Sequence, residues 1–323
     1  MNAVKPMQYP DMPEVAMANV TENREEWLKM RKDTIGSSDI TTIAGLNTFC
    51  SPLELWVRKT GKVEIEDIES PAMVYGRMVE PAIRKMFTMA KPEFKLYAND
   101  DTYKCKEHPW ATATPDSFAE LQEDHTTEYD LAGNPWGLNE LKHTGYPIGW
   151  DEGAPNYAHC QLIWQLGIMK LDWGFVTGVV AGKVNDTKTP FFRFEKPIFE
   201  QLVGLAINFR ECVAKDLPPQ AGPGDKKLID RLIEKRDGEI ELSSVGVTQW
   251  VNQYVAEKKE LKELNAAVRK HKGLQDEAIN NLKMEMGKAK HAVLDDGREI
   301  TLKKVNRAGY TAQPSSYWNF KIK

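Results

Sequence analysis

The feature that most constrains this chain is the segment Leu217-Pro-Pro-Gln-Ala-Gly-Pro-Gly224. Its prolines lack backbone donors and its glycines lose the most entropy on ordering, so neither a helix nor a central strand continues through it. The charge balance also changes there. From Gly224 onward the chain carries 20 Lys and Arg against 15 Asp and Glu, whereas residues 1–223 carry 23 against 32. The expected organisation is an N-terminal arm over 1–23, a core over 24–217, a linker over 218–225 and an accessory module over 226–323.

Before the break, helix and strand signals alternate. Ser51-Pro52 opens a helix that Gly61 closes, with the hydroxyl as N-cap and proline in the first turn. Residues 71–90 form a second helix, whose apolar face is Met73, Val74, Met78, Ile83, Met86 and Phe87. Trp110–Leu121 and Trp136–His143 are strands joined by an acidic loop bearing Glu123, Asp124, Glu128 and Asp130. Pro155–Leu171 is helical with Trp164, Ile168 and Leu171 as its core face, 175–181 and 191–194 are strands, and Pro197 starts a helix to about Lys215. Helices flanking a mixed central sheet make this an α/β domain. After the break, Val247, Trp250, Tyr254, Leu261, Leu264 and Val268 follow a three-four spacing on a highly charged helix. Gly273 interrupts it, so a helical hairpin is expected, followed by a small β-hairpin turning on Asp-Gly between Val293 and Leu302.

Composition narrows the chemistry. No run approaches the roughly 18 apolar residues of a membrane span, and Met1–Pro13 lacks a charged-then-apolar leader pattern. Cys50, Cys105, Cys160 and Cys212 are too widely spaced for a CxxC redox or zinc framework, which points to a reducing, cytoplasmic setting. A net charge of −4 excludes a bulk polycation, so a nucleic-acid partner has to be held by a local patch. In the C-terminal part, Lys258, Lys259, Lys262, Arg269, Lys270 and Lys272 could contact phosphates, but interleaved Glu257, Glu260 and Glu263 favour a solvated, ion-paired face.

The strongest constellation is Pro115-Asp116 followed by Glu140-Leu141-Lys142. Side chains alternate along a strand, so Glu140 and Lys142 project together while Leu141 packs into the core. Two carboxylates on adjacent strands make an oxygen-rich nest for Mg²⁺, and a neighbouring ammonium orients or deprotonates water. Taken alone the pattern is weak, and a surface carboxylate with a partner lysine is the blander reading. Three further features bear on it. Trp27-Leu-Lys-Met-Arg31 precedes Gly36-Ser37-Ser38-Asp39, where Ser38 suits an N-cap and Arg31 a bidentate anion contact; a plain capped helix fits equally well. Glu80, in Tyr75-Gly76-Arg77-Met78-Val79-Glu80, sits on or beside an apolar helix face and either snorkels outward or reaches a buried cation. Tyr157, Gln161 and Gln165, four apart, form a polar stripe that by default faces solvent, although glutamine can also donate to a phosphate oxygen.

In this order, the residues resemble the lambda-exonuclease group of phage recombination nucleases, also called YqaJ-type viral recombinases, over Trp27 to about Trp173 and more loosely to Lys215. The resemblance implies a restriction-endonuclease-like PD-(D/E)xK nuclease core. It assigns Asp116, Glu140 and Glu80 to the metal, Lys142 to catalysis beside the water, and Arg31 and Ser38 to the 5′-phosphate. Thr114 stands for a small hydroxyl residue before the PD pair, and Gln161 for the family's helical glutamine. It further implies a Mg²⁺-dependent 5′→3′ exonuclease on linear double-stranded DNA, with Mn²⁺ as a substitute. The expected setting is a homotrimeric ring working beside a single-strand annealing protein, in a bacterial cytoplasm or encoded by a phage or prophage. The long acidic loop after Asp116 and the region after Gly224 depart from the compact family pattern. Two rival readings stay open: an endonuclease of restriction or repair type, and a non-catalytic DNA-binding recombination scaffold.

Overall fold

The computed structural model describes residues 9, 11–63, 71–145, 148–151, 153–180, 187–233, 239–242 and 244–303. Its elements run β1 (Val15–Met17), α1 (Arg24–Asp33), α2 (Ser37–Ile43), α3 (Pro52–Thr60), α4 (Pro71–Ala90), β2 (Phe94–Ala98), β3 (Thr102–Lys104), β4 (Thr112–Ala113), β5 (Ser117–Leu121) and β6 (Trp136–Thr144). They continue through α5 (Asn156–Met169), β7 (Trp173–Val180), β8 (Thr187–Lys188), β9 (Phe191–Arg193), α6 (Lys196–Ala214), α7 (Lys226–Leu232), α8 (Val245–Met286), β10 (His291–Val293) and β11 (Glu299–Thr301). Met1–Glu234 and Lys235–Lys323 form two separate compact units.

The first unit is mixed α/β, as its alternating pattern predicts. The central sheet has the order β2-β5-β6-β7-β8, with β9 also on β7. β2, β5 and β6 pair antiparallel, whereas β6 and β7 are parallel, and α5 makes the crossover between them. Alternation along β6 and β7 sorts their side chains. Leu138, Val176 and Val180 meet Leu162, Leu166 and Met169 of α5, while Leu141, Phe175 and Val179 lie in the clusters that also hold Ile83 and Phe87 of α4. On its far side α5 buries Ile163, Trp164 and Ile168 against Ile40, Trp56, Val57, Leu202 and Ala206 from α2, α3 and α6. This apolarity on both sides of α5 makes it the central buried rod of the unit. Each large side chain so enclosed contributes about 1.5–3 kcal/mol. A close approach explains Gly137 in β6: a Cβ there would stand 2.4 Å from the Trp173 ring.

Several local signals act as expected. Ser51 Oγ accepts from the Glu54 N–H at 3.0 Å, and Gly61 ends α3 at φ 67°, a conformation glycine adopts without strain. Other expectations need correction. The stretch 110–121 is not one strand: Pro115 interrupts it, leaving β4 in a three-stranded sheet with β1 and β3, and β5 in the central sheet. The described part of the N-terminal arm is not separate from the core, because β1 pairs with β3, a long-range partner no local pattern announces. Residues 1–8 and 10 of that arm lie outside the described residues. In α4 only Ile83 and Phe87 are buried, while Met73, Val74 and Met78 are exposed, because the apolar clusters on the sheet take in Val79, Ile83, Met86 and Phe87 and none of those three.

The proline cluster is also not the seam. Asp225 Oδ1 accepts from Ser51 Oγ at 2.5 Å and Asp225 Oδ2 from the Gly222 N–H at 2.6 Å. Leu228, Ile229 and Leu232 of α7 then pack on the core, so the first unit runs past the expected module start at 226. In the second unit, α8 passes unbroken through Gly273 as 42 residues instead of forming a helical hairpin. One interior glycine costs about 1 kcal/mol, too little to end a helix with good formers on both sides. The β10–β11 hairpin is present, but its loop is one residue longer than a two-residue turn. The Leu294 carbonyl accepts from the Gly297 N–H, and Gly297 alone takes the positive φ, at 83°. No described helix is long and apolar enough to cross a membrane.

Candidate active site

The eight residues singled out in the sequence, Arg31, Ser38, Glu80, Thr114, Asp116, Glu140, Lys142 and Gln161, all line one cleft of about 370 Å³. Asp116 directly precedes β5, and the pairing of Ser117 with Asn139 sets it opposite Glu140 on the neighbouring strand. Glu140 and Lys142 are two residues apart on β6 and share the face toward α5. Lys142 Nζ donates to Glu140 Oε1 at 2.5 Å, and Asp116 Oδ2 accepts from the Leu141 backbone N–H at 2.8 Å. Leu141 points the other way, into the apolar cluster with Ile83 and Val179. Glu80 comes from α4, half-buried, with Arg84 Nη1 at 3.7 Å.

The electrostatics mark an excess of negative charge. Burial pushes the Asp116 carboxyl well above the usual range, and Glu140 and Glu80 add to the rise while Lys142 opposes it. Glu80 is also raised, by burial and by Glu140 against the pull of Arg84. Burial alone would lower Lys142, but Glu140 and Asp116 hold it above its ordinary value, so it stands there as an ammonium ion. Among the described residues no three His, Cys, Asp or Glu side chains come close enough to cage a metal ion by themselves. The donor set nevertheless fits a hard divalent cation. Mg²⁺ is commonly held by one or two carboxylates with water and phosphate oxygens completing its shell, and a carboxyl as destabilised as Asp116 is relieved by a cation.

A second cluster lines the same cleft. Arg31 Nη2 donates to Asp39 Oδ1 at 2.6 Å and to Ser38 Oγ at 3.0 Å, and its guanidinium lies over Trp27, 4.9 Å from the ring centroid. Asp39 is buried and its pKa lies near 2: burial opposes ionisation, but Arg31, Lys59 and the Gly36 N–H outweigh it. Gly36, not Ser38, is the N-cap of α2; Ser38 sits inside the first turn, where its hydroxyl faces Arg31. Thr114 Oγ1 is 2.7 Å from Thr102 Oγ1, which accepts from Trp27 Nε1 at 3.1 Å, so the hydroxyl before Pro115-Asp116 is tied to the Arg31 side.

The polar stripe on α5 turns out to face the cleft. Gln161 is half-buried there, but the direct contact with the carboxylates belongs to Gln165, 2% exposed, whose Nε2 donates to Glu140 Oε2 at 2.8 Å and to Ser37 Oγ at 3.3 Å. The amide oxygen of Gln165 is buried without a hydrogen-bond partner among the described residues. Four-residue spacing flagged Gln165, but only the tertiary packing of α5 distinguishes it from a solvent-facing glutamine. Trp27, Asp39 and Lys59 were likewise not singled out as site residues, since what marks them is their burial and pairing around Arg31.

The family described as YqaJ-like viral recombinase domain matches residues 26–179, the segment that holds all of these side chains. This segment is similar to that family over just under half of the chain. A relative, the uncharacterized protein YqaJ of Bacillus subtilis (strain 168), is 40% identical over 74 residues, which is 23% of each chain. The aligned part thus spans less than a quarter of that relative's length. Among solved structures, LHK-Exo in complex with dAMP aligns at 14% identity with a TM-score of 0.45, covering 64% of this chain and 96% of that one. LHK-Exo is described as an alkaline exonuclease from Laribacter hongkongensis. A putative exonuclease from Eubacterium rectale aligns at 13% identity with a TM-score of 0.34, covering 72% of this chain and 99% of that one.

Proposed function

We propose that this YqaJ-like domain is a Mg²⁺-dependent 5′→3′ exonuclease acting on linear double-stranded DNA. The observation that carries the reading is the meeting of Asp116, Glu140 and Lys142 in the same cleft as Arg31 and Ser38. One group suits phosphodiester hydrolysis and the other suits a terminal phosphate. When bound, the divalent cation supplies charge neutralisation at the non-bridging oxygens and activates a water. Asp116 and Glu140 hold it, with Glu80 adding negative charge from α4. Lys142, kept charged by its carboxylate neighbours, orients the water and stabilises charge on the phosphoryl group. Arg31 and Ser38 grip the 5′-terminal phosphate, Thr114 and Gln161 line the strand's path, and the register places cleavage one nucleotide inward. Attack at phosphorus breaks the P–O3′ bond, releasing a 5′-mononucleotide and leaving a new 5′-phosphate for the next cycle.

The product under this reading is a 3′ overhang suited to strand annealing, which fits the recombinase family. A closed trimeric ring and a single-strand annealing partner complete the proposal. A ring retains its substrate by topology, which reconciles the −4 net charge with DNA. The test is release of nucleotides from linear duplex with Mg²⁺ and with EDTA, alongside Asp116→Ala. Activity that needs both the metal and Asp116, and that spares covalently closed circles, supports the reading. Nicking of closed circles favours the endonuclease, and full activity in Asp116→Ala overturns the assigned centre.

A further inference from the structure

Behind Arg31, outside the cleft, lies a buried charged pair that the reaction does not use. Asp39 gives one oxygen to Arg31 Nη2 at 2.6 Å and the other to Lys59 Nζ at 2.8 Å, and both its carboxylate and the Lys59 side chain are nearly inaccessible, at 5% and 6%. Lys59 comes from the last turn of α3 and also donates to the Thr34 carbonyl at 2.6 Å and to the Arg31 carbonyl, so its three N–H bonds meet three acceptors. Neither Asp39 nor Lys59 lines the cleft.

The count of charges matters more than the contacts. A carboxylate is the natural way to fix a guanidinium, but it also cancels the charge that an anion would feel. With Arg31 and Asp39 alone the pair would be neutral. With Lys59 included, the buried trio carries one net positive charge, and Arg31, 31% exposed, is its only member on the cleft. Nη2 is spent on Asp39 and Ser38, while Nη1 and Nε have no hydrogen-bond partner among the described residues. The guanidinium is thus held by one nitrogen and a stacked indole, with its other donors free for a phosphate.

We propose that Lys59 is a positioning and charge-balancing residue for DNA-end recognition: it neutralises Asp39 so that Arg31 is held in place without losing its positive charge toward the terminal phosphate. This rests on the phosphate-gripping role of Arg31 proposed above. The test measures binding without catalysis, using hairpin duplexes with one blunt end, carrying either a 5′-phosphate or a 5′-hydroxyl, in EDTA. The full chain, Lys59→Met, the gentler Lys59→Gln, the double variant Asp39→Asn with Lys59→Met, and Arg31→Ala are compared. The readout is the affinity ratio between the two ends, with thermal melts to establish folding.

The expected result is a phosphate preference in the wild type that falls by about tenfold or more in Lys59→Met and Lys59→Gln. Part of it returns in the double variant, because the uncompensated carboxylate is gone. A merely structural lysine would lower both affinities together, leave the ratio intact, and make the double variant no better than the single one. Either outcome overturns the proposal, as does a retained preference in Lys59→Gln should Lys59→Met fail to fold. If Arg31→Ala keeps the wild-type ratio, the phosphate-gripping role itself falls and takes this inference with it. If Arg31→Ala loses the ratio while the lysine variants keep it, only the charge balance is wrong.

Discussion

Replacing Gln165 by methionine separates a functional from a structural role more cleanly than any other change at the site. Methionine keeps the length and flexibility of the side chain, so the packing of α5 is preserved. Two polar effects then oppose each other. Glu140 Oε2 loses its 2.8 Å donor, a hydrogen bond to a charged acceptor worth about 1.5–3 kcal/mol. The Gln165 amide oxygen, buried without a partner among the described residues, disappears as well, which removes a penalty of about 1–3 kcal/mol. The net change in stability is at most about 2 kcal/mol in either direction, or roughly 4–8 °C in Tm for a unit of this size. Glu140, however, keeps Lys142 on Oε1 but loses the donor that orients Oε2, and loss of such an outer partner lowers metal affinity or activity by about 10–100-fold. The assay is nucleotide release titrated with Mg²⁺, beside a thermal melt in EDTA. The expected outcome is a Tm within that range of the wild type with a Mg²⁺ requirement shifted upward by one to two orders of magnitude. A variant that melts far lower but keeps the native Mg²⁺ dependence would refute the reasoning, because Gln165 would then be a packing residue.

Two further outcomes follow from the charges. The Asp116 carboxyl titrates higher in the folded than in the unfolded chain, so the unfolded state binds fewer protons across that window and stability falls as pH rises through it. Asp116→Asn should therefore melt a few degrees higher than wild type at pH 8 in EDTA, lose that advantage in acid, and show no nuclease activity; melts at both pH values check this. Asp39 behaves oppositely: with a folded pKa near 2 against 3.8, it contributes stability above pH 4 that is lost as the pH falls toward 2. Asp39→Ala strands Lys59 and should cost about 3–5 kcal/mol at neutral pH, with the gap to wild type narrowing below pH 4 in denaturant titrations.

Features written in a few adjacent residues are legible in the sequence itself. Ser51-Pro52 and Gly61 bracket α3 because cap and stop chemistry is local, and Glu140-Leu141-Lys142 shows its two faces because strand alternation is local. What sequence could not resolve depends on partners far along the chain. β1 exists because β3 offers it an edge, and Pro115 divides 110–121 between two sheets because each half finds a different neighbour. Exposure of Met73 and Met78 on α4 follows from which residues the sheet's apolar clusters take in, which periodicity does not encode. Gln165 and Lys59 look like ordinary surface polar residues until the packing of α5 and α3 buries them beside Glu140 and Asp39. Gly273 misled in the opposite sense, since a local helix penalty was outweighed by the good helix formers around it.

The central claim is that Asp116 and Glu140 share a divalent ion beside Lys142, within reach of a strand end held near Arg31. Anomalous scattering from crystals soaked in Mn²⁺ tests it most directly. A peak within coordination distance of both carboxylates, absent in Asp116→Ala, is the predicted result. A peak elsewhere, or the same peak in that variant, would contradict it.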